Sequence, residues 1–201
     1  MPRLKNLILT FLVFTSLVFL YAVPKISFSH FRFYDIDDTL IWSSNIKLTW
    51  NDFRGAPRND IPYAALSNSG VKYQIAYFDN HARITLQAYF NRARSWVKSD
   101  SVDDELLQHE YYHFCVTELF TRKLRKEMLN YKGSLNEVSP FLKRKCMAIY
   151  IKFARYQAKY DRATDHSVKS IVQKKWESKI DTEMMKYLSF SNEWVDVYYR
   201  N

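Results

Sequence analysis

The sequence predicts an α+β fold in which a small antiparallel sheet is followed by a helical part. Segments between residues 46 and 90 alternate between apolar and polar side chains, as half-buried strands do. After residue 101, apolar side chains recur about every 3.6 positions, as they do along helices. The chain has 201 residues, 47% of them hydrophobic, which fits one domain with a buried core. Strands first and helices later define the α+β class.

The composition excludes several classes of protein. Only 3 glycines and 5 prolines are present, which argues against disorder and long flexible linkers. The 2 cysteines are too few for a disulfide scaffold or a cysteine-rich zinc finger. The net charge is +9, but the basic residues are spread along helical segments and no nucleic-acid-binding motif accompanies them. We therefore predict no nucleic-acid partner.

The N-terminus has the pattern of an export signal. Arg3 and Lys5 precede an apolar run over residues 7–23, and such a positive flank tends to stay in the cytoplasm. We expect the rest of the chain to be exported, to the periplasm or the outside. The sequence leaves open whether the signal is cleaved or stays in the membrane as an anchor. The predicted parts are a signal peptide or anchor (1–24), a linker (25–44) and one folded domain (45–201).

The strands are predicted from alternation. Residues 46–50 have the pattern of a short strand, and residues 51–57 form a turn-rich loop after it. Residues 71–78 and 82–90 both alternate and are rich in tyrosine, isoleucine and valine. The short polar segment between them predicts an antiparallel hairpin.

Three helices follow in the prediction. Ser101 or Asp103 can cap the first, which ends near Asn130, and Ser139-Pro140 starts the second, which runs towards Ala158. The third covers about residues 168–188. Residues 160–167 break the helical pattern and are predicted to be a polar loop.

Cys115 and Cys146 fall on the first two predicted helices. In an oxidising compartment two such residues can form a disulfide. Two small buried thiols fit the sequence equally well, so both states remain open.

The first helix carries an H-E-x-x-H motif at His109, Glu110 and His113. Positions i and i+4 share one helix face, so both imidazoles can reach the same ion, and neutral imidazole suits Zn²⁺. Zinc lowers the pKa of its bound water to about 7, and Glu110 can then act as general base. The motif therefore predicts a zinc site with hydrolytic chemistry.

A third zinc ligand is predicted from the segment of residues 160–166. It contains His166, the only histidine after the motif, and two carboxylates. We favour His166 as the ligand. Asp161 is the alternative, either as a ligand or as a partner that orients an imidazole ring, and Glu137 between the first two helices stays open. Tyr160 is the candidate donor to the oxyanion that forms during hydrolysis.

Several segments together resemble a bacterial family of predicted secreted zinc-dependent proteases. The likeness spans much of the exported part. The segments that carry it are Leu48 to Pro57 (LTWNDFRGAP), Ala65-Leu66-Ser67, Ser95-Trp96-Val97-Lys98, Leu106 to Phe114 (LLQHEYYHF) and Tyr160 to His166 (YDRATDH). This chain has Ser167 where the family usually has a glycine after the final histidine.

The resemblance implies a zincin-like fold and a zinc-dependent peptidase that acts on peptides or proteins. In that mechanism, zinc is held by His109, His113 and His166, and Glu110 deprotonates the attacking water and passes the proton to the leaving amine. The competing hypothesis is a non-catalytic zincin-like module that binds cell-envelope polymers or a partner, with a structural metal or none. The sequence leaves the substrate preference and the oligomeric state open.

Overall fold

The computed structural model of the protein describes residues 38–199. The predicted signal or anchor (1–24) and most of the linker lie outside the described residues. Within residues 38–199, no helix is both long enough and apolar enough to span a bilayer. The described part is a mixed α+β structure, as predicted.

The strands form two antiparallel sheets in the described part. Their strands are β1 (Thr39–Ile41), β2 (Ala65–Leu66), β3 (Ser69–Tyr77), β4 (His81–Asn91), β5 (Trp96–Val97) and β6 (Trp194–Tyr198). The larger sheet has the long strand β4 at its centre, with β3 on one side and with β1 and β6 on the other, and the smaller sheet pairs β2 with β5.

The predicted hairpin is confirmed as β3 and β4. A hydrogen bond from the Phe78 amide to the His81 carbonyl (2.9 Å) closes its turn. The alternation seen in the sequence places Ala82, Ile84 and Leu86 of β4 in the core. One face of the hairpin therefore forms an apolar surface against which the helical part packs.

The strand predicted at residues 46–50 is wrong. The amide and the hydroxyl of Thr49 both donate to the Asp52 carboxylate (2.9 Å each), and residues 50–52 form a 3-10 turn. This local capping outcompetes extended pairing. Gly55 follows, and a Cβ there would lie 2.9 Å from the Ala93 carbonyl oxygen, so the close approach of these two loops requires glycine.

The helical part has three helices: α1 (Asp104–Met128), α2 (Val138–Thr164) and α3 (Ser170–Lys186). The Asp103 side chain caps α1 by accepting a hydrogen bond from the Leu106 amide (2.7 Å), as the sequence predicts. Helix α1 lies against the sheet, and it also contacts α2 and α3. Its apolar residues form the middle of the main core, which includes Val116, Leu119 and Leu124.

A buried charge cluster fastens α1 to the sheet. The Glu118 carboxylate accepts hydrogen bonds from Arg122 Nε (2.9 Å) and Arg125 Nη1 (2.8 Å), and all three side chains are buried. Arg125 also donates to the Leu86 carbonyl of β4, and Arg122 donates to the Met184 carbonyl of α3. Because one carboxylate pairs with two guanidinium groups, the cluster keeps one net positive charge. The backbone carbonyls that accept hydrogen bonds from the two arginines stabilise that charge.

The end of α2 differs from the prediction. The helix continues to Thr164, so Tyr160 and Asp161 are helical and do not lie in a loop. The three residues after the helix end, Asp165, His166 and Ser167, are not glycines but have positive φ angles of 54°, 51° and 77°. Strand β6, which follows all three helices, was not predicted, and neither was β1 within the proposed linker.

The two cysteines are free thiols in the main core. Burial raises the pKa of both Cys115 and Cys146 to about 12. Of the two states that the sequence left open, the structure has the buried thiols.

Candidate metal centre

The two histidines of the H-E-x-x-H motif lie one helical turn apart on the face of α1 that packs against α2. Their rings are close to perpendicular, and their Nε2 atoms are 3.1 Å apart. His109 is only 2% exposed and His113 only 8%. Because both side chains are held inside the protein, their Nε2 atoms point to a fixed common position.

Asp161 of α2 supplies a third donor atom at this position. Its Oδ1 lies 2.8 Å from His113 Nε2 and 3.3 Å from His109 Nε2. His109, His113 and Asp161 form the one group of three or more potential metal-ligating side chains that residues 38–199 contain. Two neighbouring helices therefore bring together two imidazoles and one carboxylate.

The spacing of these donors fits a tetrahedral ion. Ligand atoms about 2.0–2.1 Å from a tetrahedral zinc ion lie roughly 3.3 Å from one another. The three observed separations, 2.8, 3.1 and 3.3 Å, are close to that value. Imidazole nitrogen and carboxylate oxygen are also the atoms that zinc binds in hydrolytic sites. Lone pairs this close repel one another unless a proton or a cation lies between them.

Gln157, one turn before Asp161 on α2, fixes the orientation of the His113 ring. Its Nε2 donates to the His113 carbonyl (3.0 Å), which leaves Oε1 to accept from His113 Nδ1 (2.7 Å). When the His113 ring is neutral, its proton is therefore on Nδ1 and the Nε2 lone pair faces the group, as in a metal-bound histidine. Sequence reasoning missed Gln157 because it ended the second helix near residue 158 and placed Asp161 in a loop. With the helix continued, the i, i+4 spacing would have put Gln157 and Asp161 on the same helix face.

The charges of the group are strongly coupled. Burial lowers the pKa of the His109 ring. Burial also disfavours the charged form of His113, but the Asp161 carboxylate outweighs it and raises the pKa of that ring to about 9. The imidazoles in turn hold the pKa of Asp161 well below its usual range, against the effect of its burial. In this arrangement one proton occupies the place that a cation can take, and the two compete.

Glu110 is the residue after His109 on α1, and it is only 4% exposed. Its Oε2 is buried and has no hydrogen-bond partner, so it is available to accept a proton. The Glu110 carbonyl accepts a hydrogen bond from Ser67 Oγ (3.1 Å), in the connection between β2 and β3. This contact holds the turn of α1 that carries the motif against the β2–β3 connection.

Tyr160 is fully buried next to the histidines. Its ring stacks on His109, with centroids 4.6 Å apart, and meets the edge of His113. The hydroxyl is buried without a hydrogen-bond partner, and burial raises its pKa. The arrangement shows Tyr160 supporting the His109 ring, and its role as oxyanion donor stays a prediction.

His166, the favoured third ligand, lies outside the group. It is exposed beyond the end of α2, where its ring contacts Tyr63 with centroids 5.0 Å apart. The extra turn of α2 is the physical reason, because it directs Asp161 towards α1 and leaves His166 past the helix end. Glu137 is also elsewhere, since it is exposed and accepts hydrogen bonds from Ser134. The structure thus brings together His109, His113 and the alternative candidate, Asp161.

Comparisons with known proteins return no relative. No family model matches the chain, and neither does any curated protein or solved structure. The family resemblance therefore stays a prediction, and the geometry of the metal centre carries the functional interpretation.

Proposed function

We propose that the protein is a zinc-dependent peptidase with a zincin-like fold that hydrolyses peptides or proteins outside the cytoplasm. The observation that carries the proposal is the convergence of His109 Nε2, His113 Nε2 and Asp161 Oδ1 within 2.8–3.3 Å, next to Glu110. The location outside the cytoplasm depends on the export pattern of residues 1–24. In this proposal the third ligand is Asp161, and not His166, which we favoured from the sequence.

His109, His113 and Asp161 would hold the ion. A bound zinc ion supplies a Lewis acid and lowers the pKa of a coordinated water to about 7. The chain prepares the three donors in advance, because Gln157 sets the His113 tautomer and the Tyr160 ring packs against His109. Little rearrangement is then needed when the ion binds.

Glu110 would act as the proton carrier. Its buried, unpartnered Oε2 can accept the proton of the attacking water and then deliver it to the leaving amine. Because the residue is nearly excluded from solvent, the proton is retained for that second step. A general base of this kind typically contributes about 10²–10⁴-fold to the rate.

The burial of the group favours a second candidate, a non-catalytic zincin-like module. The side chains of His113 and Asp161 are only 11% and 13% exposed, and the Tyr160 hydroxyl is enclosed. Structural zinc sites are closed in this way, whereas catalytic sites keep an open position for water and substrate. In that case the ion would stabilise a domain that binds cell-envelope polymers.

Substitution of Glu110 separates the two candidates. Glu110→Gln in the full chain should retain zinc and lose at least about 100-fold of the hydrolysis of a quenched fluorescent peptide library. Glu105→Gln, at an exposed position of the same helix, is the matched control and should keep both. If zinc binds and Glu110→Gln cleaves the library as fast as the wild type, the peptidase proposal is refuted. A zinc-loaded wild type that cleaves nothing in the library supports the second candidate.

A further inference from the structure

The connection between α2 and α3 exposes two aliphatic side chains. Val168 is 77% exposed and Ile171 is 72% exposed, the highest values among the large hydrophobic residues of the described part. They are three residues apart, at the point where α3 begins. We call residues 165–175 the α2–α3 tip.

The backbone holds this tip in an unusual shape. Asp165, His166 and Ser167 all have positive φ, although none is glycine. Such conformations cost free energy and persist only where the surrounding structure determines them. Hydrogen bonds from the His166 amide to the Asp161 carbonyl (3.1 Å) and from the Lys169 amide to the Thr164 carbonyl (2.8 Å) fasten the tip to the end of α2. Val168 is therefore presented at a defined place.

Several exposed basic side chains lie close to the aliphatic pair in the sequence. Lys174 and Lys175 follow Ile171 by three and four residues, so they continue the same face of α3. Three more exposed cations lie nearby in the chain: Lys159, Arg162 and Lys169. Exposed Asp165 offsets part of this charge through its contact with Lys169 (3.6 Å). The tip thus combines protruding aliphatic groups with an excess of positive charge.

We propose that the α2–α3 tip docks on an anionic phospholipid surface, with Val168 and Ile171 entering the interface and Lys174 and Lys175 contacting the headgroups. Exposed apolar groups beside a basic face are the pattern of proteins that lie on membranes. Two aliphatic side chains are far too little for a stable protein interface, which buries about 800 Å² per partner. The inference is independent of the proposed hydrolysis and of residues 1–37.

The position of the tip gives this docking a consequence for the metal centre. Asp161 lies only one helical turn before Asp165, so the docked face would be adjacent to the metal centre.

A fluorophore on the tip of the full chain tests the proposal. In Val168→Cys, a thiol-reactive environment-sensitive dye will label the exposed cysteine, because the native thiols are buried with pKa values raised to about 12. The matched control carries the dye at Leu135→Cys, an exposed apolar position at the opposite end of α2, about 40 Å away along its 27 residues. A response at the tip alone distinguishes docking of the tip from binding through any other segment.

We expect a blue shift and a several-fold rise in dye emission at position 168 with vesicles of equal parts phosphatidylglycerol and phosphatidylcholine. Neutral phosphatidylcholine vesicles and the dye at position 135 should give no response. Adding Lys174→Glu and Lys175→Glu to the labelled protein should weaken the apparent affinity about tenfold or more. No response at position 168, equal responses at positions 168 and 135, or equal responses to neutral and anionic vesicles would each overturn the proposal.

Discussion

Replacing Gln157 with leucine tests whether this residue prepares His113 for metal binding. Gln157→Leu keeps the approximate volume of the side chain and removes two hydrogen bonds, to His113 Nδ1 (2.7 Å) and to the His113 carbonyl (3.0 Å). The carbonyl keeps the Thr117 hydroxyl as a donor (3.1 Å). The important loss is therefore the partner of the ring nitrogen.

Two effects follow from that loss. Without its acceptor, the His113 ring is free to turn or to move its proton to Nε2, and losing such a partner typically weakens metal binding about 10–100-fold. This corresponds to about 1.4–2.8 kcal/mol of binding free energy. The free energy of unfolding of the metal-free protein should also fall, by about 1–3 kcal/mol, because a buried donor loses its hydrogen bond.

Competition with a chromophoric chelator at constant pH measures the zinc affinity, and urea unfolding measures stability. Gln173→Leu is the matched control, since Gln173 is an equally buried glutamine that donates to the Glu105 carbonyl (3.0 Å) and makes no hydrogen bond with the metal group. It should lose stability and keep its zinc affinity. Gln157→Glu retains an acceptor for Nδ1 and should bind zinc about as tightly as the wild type. Wild-type affinity in Gln157→Leu would refute the reasoning.

Three further predictions concern the rest of the fold. Glu118→Leu leaves two buried guanidinium groups without their carboxylate. The free energy of unfolding, measured in urea, should fall by about 3–5 kcal/mol, and a loss below about 1 kcal/mol would contradict the buried cluster. Ser167→Gly should raise the free energy of unfolding by about 0.5–1 kcal/mol, because glycine adopts φ of 77° without a Cβ penalty, and a destabilised variant would argue against that conformation. Cys115 and Cys146 should react with a thiol reagent at neutral pH only after unfolding, and fast labelling of the native protein would show that they are not buried.

The parts of the fold that the sequence predicts are those with a strong local signal. The β3–β4 hairpin has two alternating runs on either side of a short turn, and α1 has a capping residue, Asp103, before a long periodic pattern. Strand β6 has only five residues and becomes a strand by pairing with β4, a contact between distant parts of the chain. No local sequence pattern identifies a pairing partner that is distant in the chain.

The candidate metal-binding group was predictable in part for the same reason. His109 and His113 share a helix face because of their spacing alone, so their proximity follows from the sequence. The third donor depends on how α2 packs against α1 and on where α2 ends. The polar composition of residues 160–166 suggested a loop, whereas the helix continues to Thr164 and directs Asp161, not His166, to the imidazoles. Tertiary packing overrode the local signal.

The most direct test of the metal centre is the zinc content of the purified full chain after dialysis, for the wild type, Asp161→Ala and His166→Ala. The geometry predicts about one zinc ion per chain in the wild type and in His166→Ala, and almost none in Asp161→Ala, with circular dichroism confirming that each variant is folded. Zinc retained by a folded Asp161→Ala variant and lost from His166→Ala would contradict the site described above.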